Sequence, residues 1–386
     1  MIPYYFLGAI ILWLDLHVKQ TRAVPFMPRK GLSLCNLYIS ALNQRTLKCH
    51  VKRGELLDYR ELRQWSAREK GGKYAVEIHC SGGMVHLPWP FKAQNVDSLQ
   101  VDGCKIQGLL SEMTMQQTVP DELRRLELIS STVIVPFSEM FDLRNHLDQI
   151  PRETDCGPAT LETFVIRDVH YDLKMSPEER DRMPGLLSGA LGNSGHDVVK
   201  KSCVYPVLKY VDESGSRRSG HYHLNLLPEY SQFPNLEVYN MSRNDLSHVP
   251  NFFKSLHSDK FPALKHLDFS NNFLHSFEFE FPDALTACSL RIVDLHNNRI
   301  SSVPTKATLT LQAVGTILVD LRENPLRCSC QLRDFRQYLK RMFAVSQDIS
   351  MKMLLSNITC NLRPFYHTHI DKLSLLDSTF DQKCLL

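Results

Sequence analysis

The 386-residue chain is 43% hydrophobic, enough to bury a core as one elongated domain or as two or three compact ones, and this composition excludes an intrinsically disordered protein. Its 45 basic and 42 acidic residues leave a formal charge of only +3, and no basic run is long enough to track a phosphate backbone. No nucleic acid partner is therefore expected.

The chain opens on MIPYYFLGAIILWLDLHVKQTRA, in which an apolar stretch from Tyr4 to Leu14 precedes polar residues and Thr21-Arg22-Ala23. That outline predicts a signal peptide over residues 1–23 and a secreted, extracellular mature protein. Beyond it no segment is apolar enough to span a bilayer, and the ending DSTFDQKCLL is polar. Membrane attachment is expected only if the amino-terminal segment stays as an uncleaved anchor, for which it is short beside the roughly 20 residues of a spanning helix. All eleven cysteines lie beyond residue 23, in keeping with an oxidising compartment. Asn240-Met241-Ser242 and Asn357-Ile358-Thr359 are sequons, with Asn240 and Asn357 as the expected N-glycosylation sites.

Cys35, Cys49 and Cys80 precede VHLPWPF, with a polar, helical-looking DYRELRQWSAREK between them. An apolar pattern with offsets 0, 3, 5, 8 and 10 then begins, as Val96, Leu99, Val101, Cys104 and Ile106, and returns 27 residues later as Leu123, Leu126, Leu128, Ser131 and Val133. Leu161, Phe164, Ile166 and Val169 match it more loosely. From 171 to 222 the chain is rich in Gly, Ser, Pro and charge and reads as an irregular insertion, with one strand offered by Tyr205, Leu208 and Tyr210.

Four copies with an asparagine at the fourth position follow: Leu236, Tyr239, Met241, Asn244, Leu246; Leu264, Leu267, Phe269, Asn272, Leu274; Leu290, Val293, Leu295, Asn298, Ile300; and Thr316, Val319, Leu321, Asn324, Leu326. The asparagines are spaced by 28, 26 and 26 residues. A short strand explains the first three offsets, because Leu267 and Phe269 point inward while His266, Asp268 and Ser270 point outward. One coil cannot bury its own apolar side, so the copies must stack. The chain then turns inward and carries backbone groups into a dry interior, where an amide that both donates and accepts can satisfy them.

This pattern resembles the leucine-rich repeat signature L-x-x-L-x-L-x-x-N/C-x-L, whose period is 20–29 residues. The resemblance implies an α/β solenoid with a curved parallel β-sheet on the concave face, an irregular or helical convex face and disulfide-bonded terminal caps. It assigns Asn244, Asn272, Asn298 and Asn324 a structural role. ENPLRCSCQLRDFRQYLKRM, with Cys328, Cys330 and later Cys360 and Cys384, is similar to the family's carboxyl-terminal cap, which implies Cys328–Cys360 and Cys330–Cys384 bonds. Spacing alone would also allow a metal site, although Cys-x-Cys followed by long gaps is not typical of zinc. Arg333, Arg336, Lys340 and Arg341 read as a solvated face of the cap helix. The expected organisation is a signal peptide at 1–23, an amino-terminal cap region at 24–90, repeats at 91–327 with the insertion, and the cap at 328–386. Seven cysteines remain, an odd number. Cys104 and Cys288 are expected to be buried thiols, while Cys156 and Cys203 flank the irregular region.

No motif of catalysis is present, and Gly192-Asn193-Ser194-Gly195-His196 reads as a loop. His221, His223, His367 and His369 lack companions at ligand spacing, so no metal, cofactor, small-molecule substrate or enzymatic activity is expected. The repeat offsets leave an outward central row of Gln100, Glu127, Val165, Asn240, Asp268, Asp294 and Asp320, with Val238, His266, Ile292 and Leu318 on one side and Ser242, Ser270, His296 and Arg322 on the other. A partner-binding face of His266, Asp268, Ser270, Asp294, His296, Asp320 and Arg322 is expected, recognising an extracellular or cell-surface protein in signalling, adhesion or immune recognition. The alternative is a matrix component resembling the small leucine-rich proteoglycans, with Ser214 in Asp212-Glu213-Ser214-Gly215 as the sugar-chain attachment point.

Overall fold

A computed structural model describes residues 22–23, 32–40, 44–69, 72–89, 91–109, 111–112, 122–136, 159–174, 176–177, 203–216, 231–256, 261–281, 289–362 and 372–380. Most of the expected signal peptide and insertion therefore lies outside the described residues. So do Cys156, Cys288, Cys384, the 192–196 loop and His221, His223, His367 and His369.

The inward and outward alternation read from the repeats builds one large sheet. Its twelve strands are β1 (Arg22–Ala23), β2 (Cys35–Ile39), β3 (Arg45–Lys52), β4 (Tyr74–Ser81), β5 (Val96–Asp102), β6 (Arg125–Ile129), β7 (Thr163–Arg167), β8 (Tyr210–Asp212), β9 (Val238–Asn240), β10 (His266–Asp268), β11 (Ile292–Asp294) and β12 (Leu318–Asp320). The first three pair antiparallel, and every later pairing is parallel and between chain-order neighbours. The protein is a leucine-rich repeat solenoid. Parallel stacking reaches back to β3, so the segment read as an amino-terminal cap contributes β3 and β4 to the same sheet.

The middle residues of the short strands, Val211, Tyr239, Leu267, Val293 and Val319, are fully buried. After each of the last four strands the chain turns through a residue with positive φ, namely Arg243, Asn271, Asn297 or Glu323, immediately before the ladder asparagine. That turn aims each asparagine into the coil. Asn272 Oδ1 accepts from the Asn244 and Leu246 amides of the preceding coil at 2.9 and 3.0 Å. Its Nδ2 donates to the Met241 and Phe269 carbonyls at 3.0 and 2.9 Å. Asn298 and Asn324 repeat the arrangement, receiving the Leu274 and Ile300 amides. In the amino-terminal coils the hydroxyl of Ser131 does the same work, accepting from the Cys104 amide at 3.1 Å and donating to the Ile129 carbonyl at 2.8 Å.

Convex structure changes along the solenoid. In the amino-terminal half a second parallel sheet of five strands, Leu56–Asp58, Met84–His86, Lys105–Gln107, Thr132–Pro136 and His170–Lys174, adds a further wall to the coils. Farther on, the wall is helical or irregular, with α2 (Asn251–Lys254) and α3 (Thr305–Val314) after Pro250 and Pro304, whose fixed φ suits a helix start. An aromatic column of Tyr205, Phe233 and Phe261, with centroids 5.5 and 5.7 Å apart, fills the coils here. Earlier in the chain, α1 (Tyr59–Arg68) starts at Asp58, whose side chain accepts from the Arg60 amide, and buries Tyr59, Leu62 and Trp65.

The carboxyl-terminal cap is α4 (Arg333–Val345) and α5 (Ile349–Ser356), followed by a two-stranded antiparallel pair at 359–361 and 372–374. Phe335, Tyr338 and Leu339 of α4 are buried, and the Tyr338 hydroxyl donates to the Ile317 carbonyl. Arg336 departs from the solvated face read from sequence. It is 3% exposed, donates to the Leu375 and Asp377 carbonyls at 2.9 and 2.7 Å, and stacks its guanidinium over Phe380. Its charge serves the cap rather than a surface patch.

Candidate functional site: the concave face

Strand register fixes the outward rows residue by residue. The central row runs Lys48, Glu77, Gln100, Glu127, Val165, Asp212, Asn240, Asp268, Asp294 and Asp320. Sequence offsets alone place seven of these and miss Lys48, Glu77 and Asp212. The row beside it carries Tyr210, Val238, His266, Ile292 and Leu318 across the last five strands.

Five successive strands end in the same local device. The side-chain oxygen of Asp212, Asn240, Asp268, Asp294 or Asp320 accepts from the backbone amide two residues on, at 3.0, 2.9, 2.8, 3.0 and 3.0 Å. These are Asx turns, in which a short acid or amide mimics a backbone acceptor and ends the strand. The acidic residues of this row therefore serve the fold first. Two of the expected contact residues are withdrawn from the surface. Ser270, on the turn after Asp268, is 3% exposed, and Asp320 is 1% exposed. Asp320 is enclosed because Arg322 folds back on it, with Nη2 2.7 Å and Nε 3.0 Å from its carboxylate. That hydrogen bond holds the Arg322 guanidinium above its ordinary pKa. The other five expected residues, His266, Asp268, Asp294, His296 and Arg322, are half-buried.

Most charges on the row are neutralised within the protein. Lys48 pairs with Glu77 at 2.8 Å, Arg125 with Glu127, and Arg167 with the buried Asp212 at 2.5 Å. Asp268 and Asp294 differ, since among the described residues neither meets a lysine or arginine. Asp294 instead meets the ring of His296, Nδ1 to Oδ1 2.8 Å, while Asn271 Nδ2 lies 3.2 Å from the other ring nitrogen. With Asn271 donating to Nε2, the ring proton sits on Nδ1 and points at the carboxylate. Burial pushes the Asp294 carboxyl above its ordinary value, and the charge of Asp320 adds to this, outweighing the hydrogen bonds from His296. His266 stands on the neighbouring row, and its Nε2 is shut off from solvent with no hydrogen-bond partner.

A raised carboxyl binds its proton more tightly in the folded chain than in the unfolded one. Its effect on stability is therefore most favourable below the ordinary carboxylate value of 3.8 and is lost as pH climbs through the raised value. Asp294→Asn keeps the turn acceptor and removes the repulsion with Asp320. In chelator, this variant is expected to resist urea better than wild type at pH 7 and to lose that advantage at pH 3.5. Equal stability at both pH values would contradict the electrostatic account.

Among the described residues, Cys35–Cys49, Cys80–Cys104 and Cys328–Cys360 are disulfides. Cys104 is thus no free thiol but a tie to the preceding coil. Cys330 is also disulfide-bonded, and Cys384 lies outside the described residues. Such bonds persist in an oxidising, extracellular setting. Of the two sequons, Asn357 is exposed at the end of α5, and Asn240 is half-buried on the concave face. Ser214 is 1% exposed, so the folded chain does not present its hydroxyl for a sugar chain. No helix among the described residues is long and apolar enough to cross a membrane.

The sequence matches no protein-family model and no curated protein. Among solved structures, human 5T4 (Wnt-activated inhibitory factor 1, trophoblast glycoprotein) is similar at 17% identity with a TM-score of 0.44, over 91% of this chain and 97% of that one. The mouse RP105/MD-1 complex gives 14% and 0.29 over 76% and 53%, and the TLR13–ssRNA13 complex gives 10% and 0.17 over 83% and 58%. The parallel strand register and the asparagine ladder themselves define the solenoid.

Proposed function

We propose that this protein is a secreted recognition module that binds an extracellular or cell-surface protein through its concave face, in signalling, adhesion or immune recognition. The observation that carries the reading is the contrast along the central row. Elsewhere the charges are paired with lysine or arginine within the protein, whereas Asp268 and Asp294 have no such ion pair among the described residues and stand beside the half-buried apolar Val238 and Ile292. Carboxylates without a lysine or arginine next to apolar surface on a rigid sheet suit a protein partner, which supplies a cation and covers the apolar side chains. Stacked coils hold these groups in place, so little ordering entropy opposes binding.

The test begins with expression, recovery of the chain from the medium and a screen against extracellular domains. For a confirmed partner, the Asp268→Asn, Asp294→Asn double variant keeps both turn acceptors and removes both charges. It is expected to weaken binding at least about tenfold. Leu309→Glu, on the exposed convex helix α3, should leave binding intact. Binding lost with Leu309→Glu and kept in the double variant would assign recognition to the convex face.

A further inference from the structure

We infer that His266, Asp268 and Asp294 form a binding site for a divalent transition-metal ion of the zinc class on the concave face. Their donor atoms, one from each residue, lie within 4.8 Å of one another. Parallel register produces this grouping. Asp268 and Asp294 are directly paired on β10 and β11, and His266 stands two residues before Asp268 on the same side of β10. Residues two apart on a strand share a face, and neighbouring strands are about 4.8 Å apart.

Two further observations separate this trio from an ordinary polar patch. Nε2 of His266 is buried and unpartnered, which leaves a ring nitrogen without either water or a protein partner. Neither carboxylate forms an ion pair with a lysine or arginine among the described residues, unlike Glu77, Glu127, Asp212 and Asp320 of the same row, and Asp294 meets only the ring of His296. Each keeps one oxygen free, because only Oδ1 of Asp268 and of Asp294 accepts the turn hydrogen bonds. A dication held by Nε2 and by the free oxygen of each carboxylate would answer both deficits at once.

Donor chemistry selects the metal. One imidazole and two carboxylates make a nitrogen-and-oxygen set that suits zinc, whereas calcium takes six to eight oxygens. Donors on a tetrahedral zinc at about 2.0–2.1 Å lie about 3.4 Å apart, so small side-chain rotations close the site. A second grouping, Asp294, His296 and Asp320, meets the same distance limit but has its donors occupied. Both ring nitrogens of His296 are engaged by Asp294 and Asn271, and Asp320 is held by Arg322. Three protein ligands leave a fourth position for water or for a side chain of a partner.

The site stands whether or not the concave face takes a protein partner, and its test uses no partner. The folded chain is stripped with chelator and titrated with Zn²⁺ by calorimetry, its fold followed by thermal melting. One Zn²⁺ per chain is expected, with affinity falling at least tenfold in His266→Ala and again in Asp294→Asn. His248→Ala, a histidine paired with Glu278 and not with the trio, should bind as wild type. Ca²⁺ at the same concentration should not compete. Co²⁺ loaded into wild type should give visible d–d absorption that is absent from His266→Ala. Folded wild type that takes up no Zn²⁺, or variants that bind it undiminished, would overturn the inference. Partner binding measured in chelator is a separate result, so either reading can fail alone.

Discussion

Asn272→Ala is expected to cost about 3 kcal/mol of folding stability, and more than the same change at Asn298. The difference lies in the donors each side chain serves. Asn272 Oδ1 accepts two buried amides of the preceding coil, those of Asn244 and Leu246, whereas Asn298 Oδ1 accepts that of Leu274. Carbonyls weigh less, because each has a second donor. Met241 is also reached by Asn244 Nδ2 at 3.2 Å, and Phe269 by Asn298 Nδ2 at 3.0 Å. The Ser270 carbonyl likewise keeps the Arg243 amide, so truncation strands two N–H groups and no carbonyl, at about 1–3 kcal/mol each before relaxation. Coils interact mainly with their neighbours, so the loss should appear as early opening of the coils around 244–274 in hydrogen exchange. Urea denaturation of the two alanine variants gives the ranking. A loss below about 1 kcal/mol, or Asn298→Ala the more damaging, would show that the ladder is not the tie described.

Features that repeat were legible in the sequence, and features made by side chains folding back on one another were not. The four asparagines and the outward row from Asn240 to Asp320 follow from a fixed period. Asp212 escaped because the inward position after it is Glu213, a buried acid that receives the Tyr239 hydroxyl at 2.7 Å. A carboxylate in a core position breaks an apolar pattern even where the strand is regular. Burial of Asp320 and Ser270 was hidden for another reason, since offsets give direction but not what lies above a residue. Arg322 covers the first, and the Asx turn withdraws the second. Pairing of Cys80 with Cys104 joins two coils 24 residues apart, and cysteine at the amide position gave no sign that its partner stands at the end of the preceding strand.

Replacing both Cys328 and Cys360 with serine is expected to remove about 3–4 kcal/mol from the carboxyl-terminal end, the chain-entropy value for a loop of this length. The two residues are 32 apart, and Cys360 is fully buried. Their bond fixes a seam that the backbone also closes, as Asn361 donates to the Leu326 carbonyl at 2.7 Å and accepts from the Cys328 amide at 3.0 Å. Below that seam lie Leu321 and Leu326 of the last coil, and above it the Phe335, Tyr338 and Leu339 face of α4, all buried. A solenoid end uncovered in this way exposes apolar core to water, so the cap and last coil should open before the rest. Limited proteolysis of the double serine variant is expected to cut first within 328–362, while the sheet from β3 to β10 stays protected. Dithiothreitol should produce the same first cut in wild type. Simultaneous loss of protection along the whole chain would mean that the cap is not a separable lid but part of one cooperative unit. An unchanged melting temperature would mean that the helix packing alone holds the end closed.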